Sequence, residues 1–325
     1  MTAPLLDVRN LTKTFGGQQP GLGALLAGLR LSPRARPVHA VSDVSFTIQR
    51  GEVMGVVGES GCGKSTLGRM VAGLLTPTQG QITQTTAPGA KPRPLARQMI
   101  FQDPFSSLNP RHRVVDLIGE APRVHRIVPA AQLDDYTTEM MERCGIDPSY
   151  AGRFAHQFSG GQRQRIGIAR ALAVRPEMLI ADEAVSALDV SVQAQIINLF
   201  MQLRDEYALT YLFISHDLGV VRHLSDRVLV MYLGRIVESG PVADVFDRPN
   251  HPYTSALIEG VPRLDRRRQV YQPIQGDMPS PLDPPKGCHF HPRCPHALPR
   301  CRTEAPRLRD IAPGRQSACH LNDQK

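Results

Sequence analysis

Apolar and polar residues alternate at Val44, Phe46 and Ile48, and shortly afterwards Val53–Val57 forms a compact apolar run that stops at a glycine. Alternation is the period of a strand with one buried face, and an unbroken apolar run of this length suits a strand buried on both. Comparable runs at Met178–Ala181 and Tyr211–Ile214 predict two further buried strands, and helical stretches follow the runs, from Ser65 and over Val190–Tyr207. Strands alternating with helices in this way predict an α/β sheet. Between Asp103 and Arg153 the pattern turns to helix and loop, with Val114–Glu120 and Ala130–Cys144 as the helices of an insertion. Beyond Val261, prolines accumulate at Pro262, Pro273, Pro279, Pro281, Pro284 and Pro285 and the periodicity stops, so the core is expected to end near residue 260.

Composition narrows this picture only a little. A chain of 325 residues can hold one large core and an appendage, and 41% hydrophobic with 21% charged residues is the make-up of an ordinary globular protein. No apolar run approaches the length of a membrane helix and the N-terminus lacks the regions of a secretory signal, so the chain is expected to stay in the cytosol. Gly21–Leu31 reads as a surface insertion without a function. The net charge of +8 would suit nucleic acid or an anionic membrane, but the arginines are scattered apart from dense groups at 263–268 and 300–309, so charge alone decides little. Four of the six cysteines lie between 288 and 319, which points to a local metal or disulfide site.

The strongest chemical signal follows the second strand. Gly58-Glu59-Ser60-Gly61-Cys62-Gly63-Lys64-Ser65-Thr66 fits a phosphate loop with a strand before it and a helix after it. Its glycines let backbone N–H groups curl around phosphates at a helix N-terminus, while Lys64 can reach the terminal phosphates and Ser65 can ligate Mg2+. The run Met178–Ala181 ends in Asp182 and Glu183, which sets two carboxylates at the carboxyl edge of the sheet. Asp182 is expected in the Mg2+ shell and Glu183 as the general base or water-orienting group. Phe158-Ser159-Gly160-Gly161-Gln162 begins a helix that Ser159 can cap, with two glycines permitting close approach to an anion. Gln102 precedes these motifs, and Ser186-Ala187-Leu188-Asp189 and His216 follow them.

Together, in this order, these segments resemble the Walker A, Q-loop, signature, Walker B, D-loop and H-loop of the ABC ATPase family, over residues 1 to about 260. The resemblance implies a P-loop ATPase core at 1–260 with a helical subdomain at about 103–175, and a Pro/Cys-rich extension at 261–325. It implies that ATP is sandwiched between the phosphate loop of one subunit and Ser159, Gly160, Gly161 and Gln162 of another. Gln102 would contact Mg2+ and the attacking water, His216 the terminal phosphate, and Asp189 the dimer interface. Phe15 resembles the aromatic that stacks on adenine, with core packing as the alternative. Where relatives usually have proline after the catalytic glutamate, this chain has Ala184; every polar catalytic group is nonetheless present, so an active site is expected.

Cys288, Cys294, Cys301 and Cys319 supply enough thiolates for a complete coordination shell in a tail with little apolar core of its own. Chemistry alone leaves an iron–sulfur cluster, zinc with help from His289, His291 or His320, free thiols and, least suited to a reducing compartment, disulfides. This tail, with His251-Pro252-Tyr253-Thr254 and Val261-Pro262, resembles the C-terminal region of oligopeptide and dipeptide importer ATPases, which implies a 4Fe-4S cluster at the four cysteines. Cys62 and Cys144 read as packing thiols. The same resemblance implies a peripheral subunit on the cytoplasmic face of the inner membrane, driving uptake of peptides, or of nickel, glutathione or another small solute. Its partners would be a second, related ATPase, two membrane permease subunits and an extracytoplasmic peptide-binding protein. An ATPase acting on DNA or ribosomes would need a coiled coil or a second nucleotide domain, and neither heptads nor a repeat is visible, so no nucleic acid is expected. A non-enzymatic metal-dependent regulator would not need the complete catalytic set.

Overall fold

The computed structural model describes residues 3–16, 36–85, 95–260 and 274–324. Gly21–Leu31, most of the 16–37 insertion, Pro262, Pro273 and the arginine group at 263–268 lie outside them. The described strands are β1 (Leu6–Phe15), β2 (Val38–Ile48), β3 (Val53–Val57), β4 (Gln79–Gln84), β5 (Arg97–Ile100), β6 (Met178–Asp182), β7 (Thr210–Ile214), β8 (Arg227–Tyr232), β9 (Arg235–Pro241), β10 (Arg309–Ala312) and β11 (Arg315–Ser317). They form a three-stranded sheet in the order β2-β1-β4 and an eight-stranded sheet in the order β10-β11-β9-β8-β3-β7-β6-β5. Strands β5, β6, β7, β3 and β8 run parallel, β9 adds antiparallel to β8, and β11 adds antiparallel to β9.

Every residue of β3, β6 and β7 is buried, as expected of parallel strands covered on both faces. Their alternation sorts the side chains into two cores. Met54, Val56, Ile180, Leu212 and Ile214 meet the helix Lys64–Val71 and the inner side of β1 and β2. Val53, Val57, Leu179, Tyr211 and Phe213 face the helices Gly160–Leu172, Val190–Tyr207 and Leu218–Leu224. Gly55 sits where the last of these comes closest, since a Cβ there would stand 2.5 Å from Val221 Cγ1. Between β5 and β6 the helices Val114–Val124, Leu133–Arg143 and Gly160–Leu172 pack on one another, which gives the helical insertion that the sequence predicts. Its second helix opens as a 3-10 turn at Ala130–Gln132 before becoming α-helical. Among the described residues no helix is long and apolar enough to cross a membrane.

The tail departs from the expectation that regular structure stops near 260. β11 pairs with β9 at Gln316↔Ser239 and Ser317↔Glu238, so the central sheet continues into the extension. Glu238, fully buried, accepts from the Arg315 guanidinium at 3.0 Å and from the backbone N–H of Asn250 and His251 at 3.0 and 2.8 Å, joining three segments at one carboxylate. Phe290 is 2% exposed, with its ring 5.3 Å from that of Tyr232, 5.4 Å from that of Tyr253 and 5.8 Å from that of His251. The extension lacks a sizeable core of its own and inserts one aromatic into that of the main body. Phe290→Ala should therefore cost about 3–5 kcal/mol in urea unfolding. Leu282→Ala, at a side chain that is 45% exposed, should stay within about 0.5 kcal/mol.

Candidate nucleotide site

The phosphate loop emerges from the end of β3 and turns into the helix Lys64–Val71 through glycines that no other residue could replace without strain. Gly58 has φ 150° and an added Cβ would lie 2.2 Å from the Met231 carbonyl oxygen; Gly63 has φ 107° and its Cβ would lie 2.2 Å from that of Ala40. Ser60 and Gly61 are exposed, Gly63, Ser65 and Thr66 half-buried, and Cys62 buried with its thiol pushed up by burial. Lys64 is only 4% exposed. Its ammonium donates to the carbonyls of Gly58 at 2.8 Å and Glu59 at 2.9 Å.

Asp182, at the end of β6, accepts from the Ser65 hydroxyl at 2.8 Å. Cis ligands of an octahedral Mg2+ with bonds of about 2.0–2.1 Å stand about 3 Å apart, so this hydroxyl–carboxylate pair fits the ion that the family implies. Burial raises the Asp182 carboxyl above its ordinary 3.8 and the charge of Glu183 adds to this, while the Ser65 hydroxyl, Arg69 and Lys64 act against it.

Glu183 adopts the left-handed backbone conformation at φ 49°, with its N–H donating to the Ile214 carbonyl at 2.9 Å. Three side chains gather at this residue. The Gln102 amide donates to Glu183 Oε2 at 2.8 Å and to Ser186 Oγ at 3.4 Å, and His216 Nδ1 lies 3.7 Å from the same carboxylate oxygen. His216 itself is 58% exposed, so its ring stands open to a ligand. The structure thus joins Gln102, Glu183 and His216 in one cluster beside the Lys64, Ser65 and Asp182 group.

The other predicted residues sit apart. Ser159 and Gln162 close a reciprocal capping box on the helix Gly160–Leu172, with Ser159 N–H donating to Gln162 Oε1 at 3.1 Å. Gly160 and Gly161 lie against Leu188 and Val192, where an added Cβ on Gly161 would stand 2.3 Å from Val192 Cγ1. Asp189 is exposed at the head of the helix Val190–Tyr207. Phe15 is 41% exposed at the end of β1, outside the core, with Lys13 over its ring. Two contacts were not read from the sequence: Tyr253 and Arg293 both hold Glu59 of the loop. Glu59 and Arg293 are 234 positions apart, and no local pattern links them.

The cysteine tail requires a correction. Cys288, Cys294, Cys301 and Cys319 are all free thiols, and among the described residues no group of three or more His, Cys, Asp or Glu is placed to hold a metal ion. The expected 4Fe-4S cluster and the zinc alternative are both overturned by this. The thiols are engaged in packing: Cys301 is buried, and Cys288 and Cys294 lie against the main core. Burial pushes Cys288 up to about 11 and raises Cys294 and Cys319, and the neighbouring thiols add to the effect. The histidines are engaged elsewhere: His289 with the Leu233 carbonyl, His291 with that of Cys288, and His320 with the Glu304 carbonyl and Asp323.

A buried lysine on a glycine loop, next to a carboxylate–hydroxyl pair and a glutamate that can direct water, handles nucleotide phosphates and their hydrolysis, which makes this a phosphate-loop ATPase. The chain belongs to the ABC transporter family. Residues 41–186 match the family described as ABC transporter, and residues 237–301 match the one described as oligopeptide/dipeptide transporter, C-terminal region. It is 51% identical to the oligopeptide transport ATP-binding protein AppF of Bacillus subtilis, over 98% of this chain and 97% of that protein. It is also 51% identical to a probable peptide ABC transporter ATP-binding protein of Sinorhizobium fredii, over 99% of this chain and 91% of the other. Among solved structures it resembles cbiO1 of Clostridium perfringens, part of an ABC transporter complex, at 26% identity and a TM-score of 0.60, covering 75% of this chain and 91% of that one.

The raised carboxyl of Asp182 has a consequence for stability. Just above the ordinary value of 3.8 the folded chain keeps a proton that the unfolded chain releases, so this residue's contribution falls as the pH rises through that window. At neutral pH the buried charge remains a standing cost. Asp182→Asn is therefore expected to raise the melting temperature at pH 7, the gain shrinking as the pH is lowered toward 4; a gain that does not change with pH would contradict this account.

Proposed function

We propose that this chain is the ATP-hydrolysing subunit of an ABC importer for di- or oligopeptides, and that its ATP sites are completed by a second such subunit. The observation that carries the reading is the cluster of Gln102, Glu183 and His216 beside Lys64, Ser65 and Asp182. Lys64 offers a buried positive charge to the terminal phosphates. Ser65, Asp182 and Gln102 would hold Mg2+, which when bound with ATP neutralises charge on the phosphate oxygens. Glu183 orients the attacking water and takes its proton, and His216, open to solvent, reaches the terminal phosphate.

The shared interface is supported by what is exposed. Ser159 and Gln162, Ser60 and Gly61, and Asp189 all stand at the surface. Val190, next to Asp189, is 84% exposed, an apolar side chain suited to cover by a partner. In this reading Ser159, Gly160, Gly161 and Gln162 serve the partner's nucleotide, Phe15 stacks on adenine and Asp189 crosses between subunits. Residues 1–260 form the nucleotide-binding domain, with a helical subdomain at about 103–175 that meets the membrane subunits, and 261–325 form the extension. Peptide transport rests on the oligopeptide/dipeptide C-terminal match and on the likeness to the oligopeptide and peptide transport proteins of Bacillus subtilis and Sinorhizobium fredii. The system would comprise a related second ATPase, two membrane permease subunits and an extracytoplasmic binding protein, with this chain on the cytoplasmic face of the membrane.

Glu183→Gln should retain ATP binding and lower turnover by about 100- to 10,000-fold. Turnover equal to that of the unaltered chain would remove Glu183 from the chemistry. Purification of the tagged chain from membranes of its native host should bring down two integral membrane proteins and a second ATPase. Recovery of ribosomal or DNA-repair proteins alone would overturn the transport reading while leaving the ATPase standing.

A further inference from the structure

Glu59 is the second residue of the phosphate loop, and all of its polar groups are held. Its carboxylate receives both arms of Arg293, Nη1 to Oε2 at 2.7 Å and Nη2 to Oε1 at 2.9 Å. Its N–H donates to the Tyr253 hydroxyl at 2.9 Å and its carbonyl accepts from Lys64 at 2.9 Å. Arg293 comes from the tail, on the short turn His291–Arg293, and its side chain is 5% exposed against 27% for Glu59. It is anchored behind as well, through Nε to the Gln275 carbonyl at 3.2 Å and Nη1 to the Tyr232 hydroxyl at 3.4 Å. Tyr253 is fully buried between Tyr232 and Phe290, with ring centroids 4.7 and 5.4 Å away. The tail that inserts Phe290 into the main core thereby also delivers a two-pronged, nearly buried guanidinium to the loop, a contact in which lysine could not stand in for arginine.

A carboxylate in a phosphate-binding loop is a liability, because it repels the anion that the loop has to accept. Pairing with Arg293 cancels that charge and fixes the backbone that carries the loop's first carbonyls. We propose that Arg293 is a positioning residue for the nucleotide, through which docking of the C-terminal extension onto Glu59 sets the affinity of the ATP site. The proposal rests on the nucleotide-site reading given above, and the experiment separates the two.

Steady-state hydrolysis and titration with a fluorescent ATP analogue are measured on the full-length chain and four variants. Arg293→Ala leaves Glu59 charged and unpaired, and is expected to raise KM for MgATP about tenfold with kcat changed less than about twofold. Adding Glu59→Gln to it removes the stranded charge and is expected to recover most of the loss, which a merely structural role for Arg293 would not do. Arg293→Lys, which keeps the charge without the fork, should fall between the two, and it takes the place of Arg293→Ala if that variant does not fold. Lys64→Ala tests the underlying site. If it leaves analogue binding intact, the nucleotide reading fails. If it abolishes binding while the Arg293 variants keep KM within about twofold, or while Glu59→Gln gives no recovery, the proposal alone is overturned.

Discussion

Lys64 is a cation at 4% exposure, and the arrangement at the end of β3 is what makes that tolerable. An unpaired buried charge costs several kcal/mol (~3–5 when a partner is removed). Here the ammonium is met by the carbonyls of Gly58 and Glu59, which point at it only because the loop takes a path closed to side chains at Gly58 and Gly63. That path is held in turn by neighbours. Gly58 lies against the Met231 carbonyl of β8 and Gly63 against the Ala40 carbonyl of β2, so both sheets are needed to shape the loop. The central sheet, buried on both faces, has room for such polar chemistry only at its edge, and the carboxyl ends of β3, β5, β6 and β7 deliver Lys64, Gln102, Asp182 and Glu183, and His216 to the same place.

This placement explains how much was legible in the sequence. Strands β3, β6 and β7 are buried at every residue, so burial wrote them into the chain as apolar runs, and each run leads within two residues to a candidate site residue. The phosphate loop and the Asp182-Glu183 pair are each contiguous, so each stands whole within one local window. β1 and β4 could not be read in this way, because Arg9 and Asn10 of β1 and most of β4 face solvent and blur the period of two. β10 and β11 are four and three residues long and mostly polar, and they exist as strands because β9 offers an edge to β11 and β11 offers one to β10. Contacts between distant segments, such as Arg293 with Glu59, leave no trace in any local window.

The cysteines show the same limit from the other side. Four thiols close in sequence satisfy the count that a metal site needs, but count says nothing about where the fold places them. In the structure Cys301 is buried and Cys288 and Cys294 pack against the main core to which Phe290 belongs. What holds the extension is an aromatic ring in a borrowed core, a strand on a borrowed edge, and the Arg315–Glu238 pair within it. Removing either ion of that pair would strand the other away from water, so its contribution lies in fixing the register of β11 on β9 more than in net stability.

The departure at Ala184 fits this picture. Ala184 and Val185 are each 2% exposed and belong to the main core, so the residue after Glu183 sits on the apolar side of the turn. Glu183 keeps its left-handed conformation through its own contacts: its N–H bonds to Ile214 of β7, and its carbonyl accepts from the Ser186 hydroxyl at 2.9 Å and the Ser186 N–H at 3.1 Å. Those bonds fix the backbone and leave the carboxylate to be steered by Gln102 and His216, which come from the ends of two other strands. Gln102 lies two residues past the end of β5, at the entrance to the helical insertion. The first carboxylate outside its own strand that it meets is that of Glu183. The 2.8 Å bond between them therefore ties the Glu183 carboxylate to the segment that leads from β5 into the insertion.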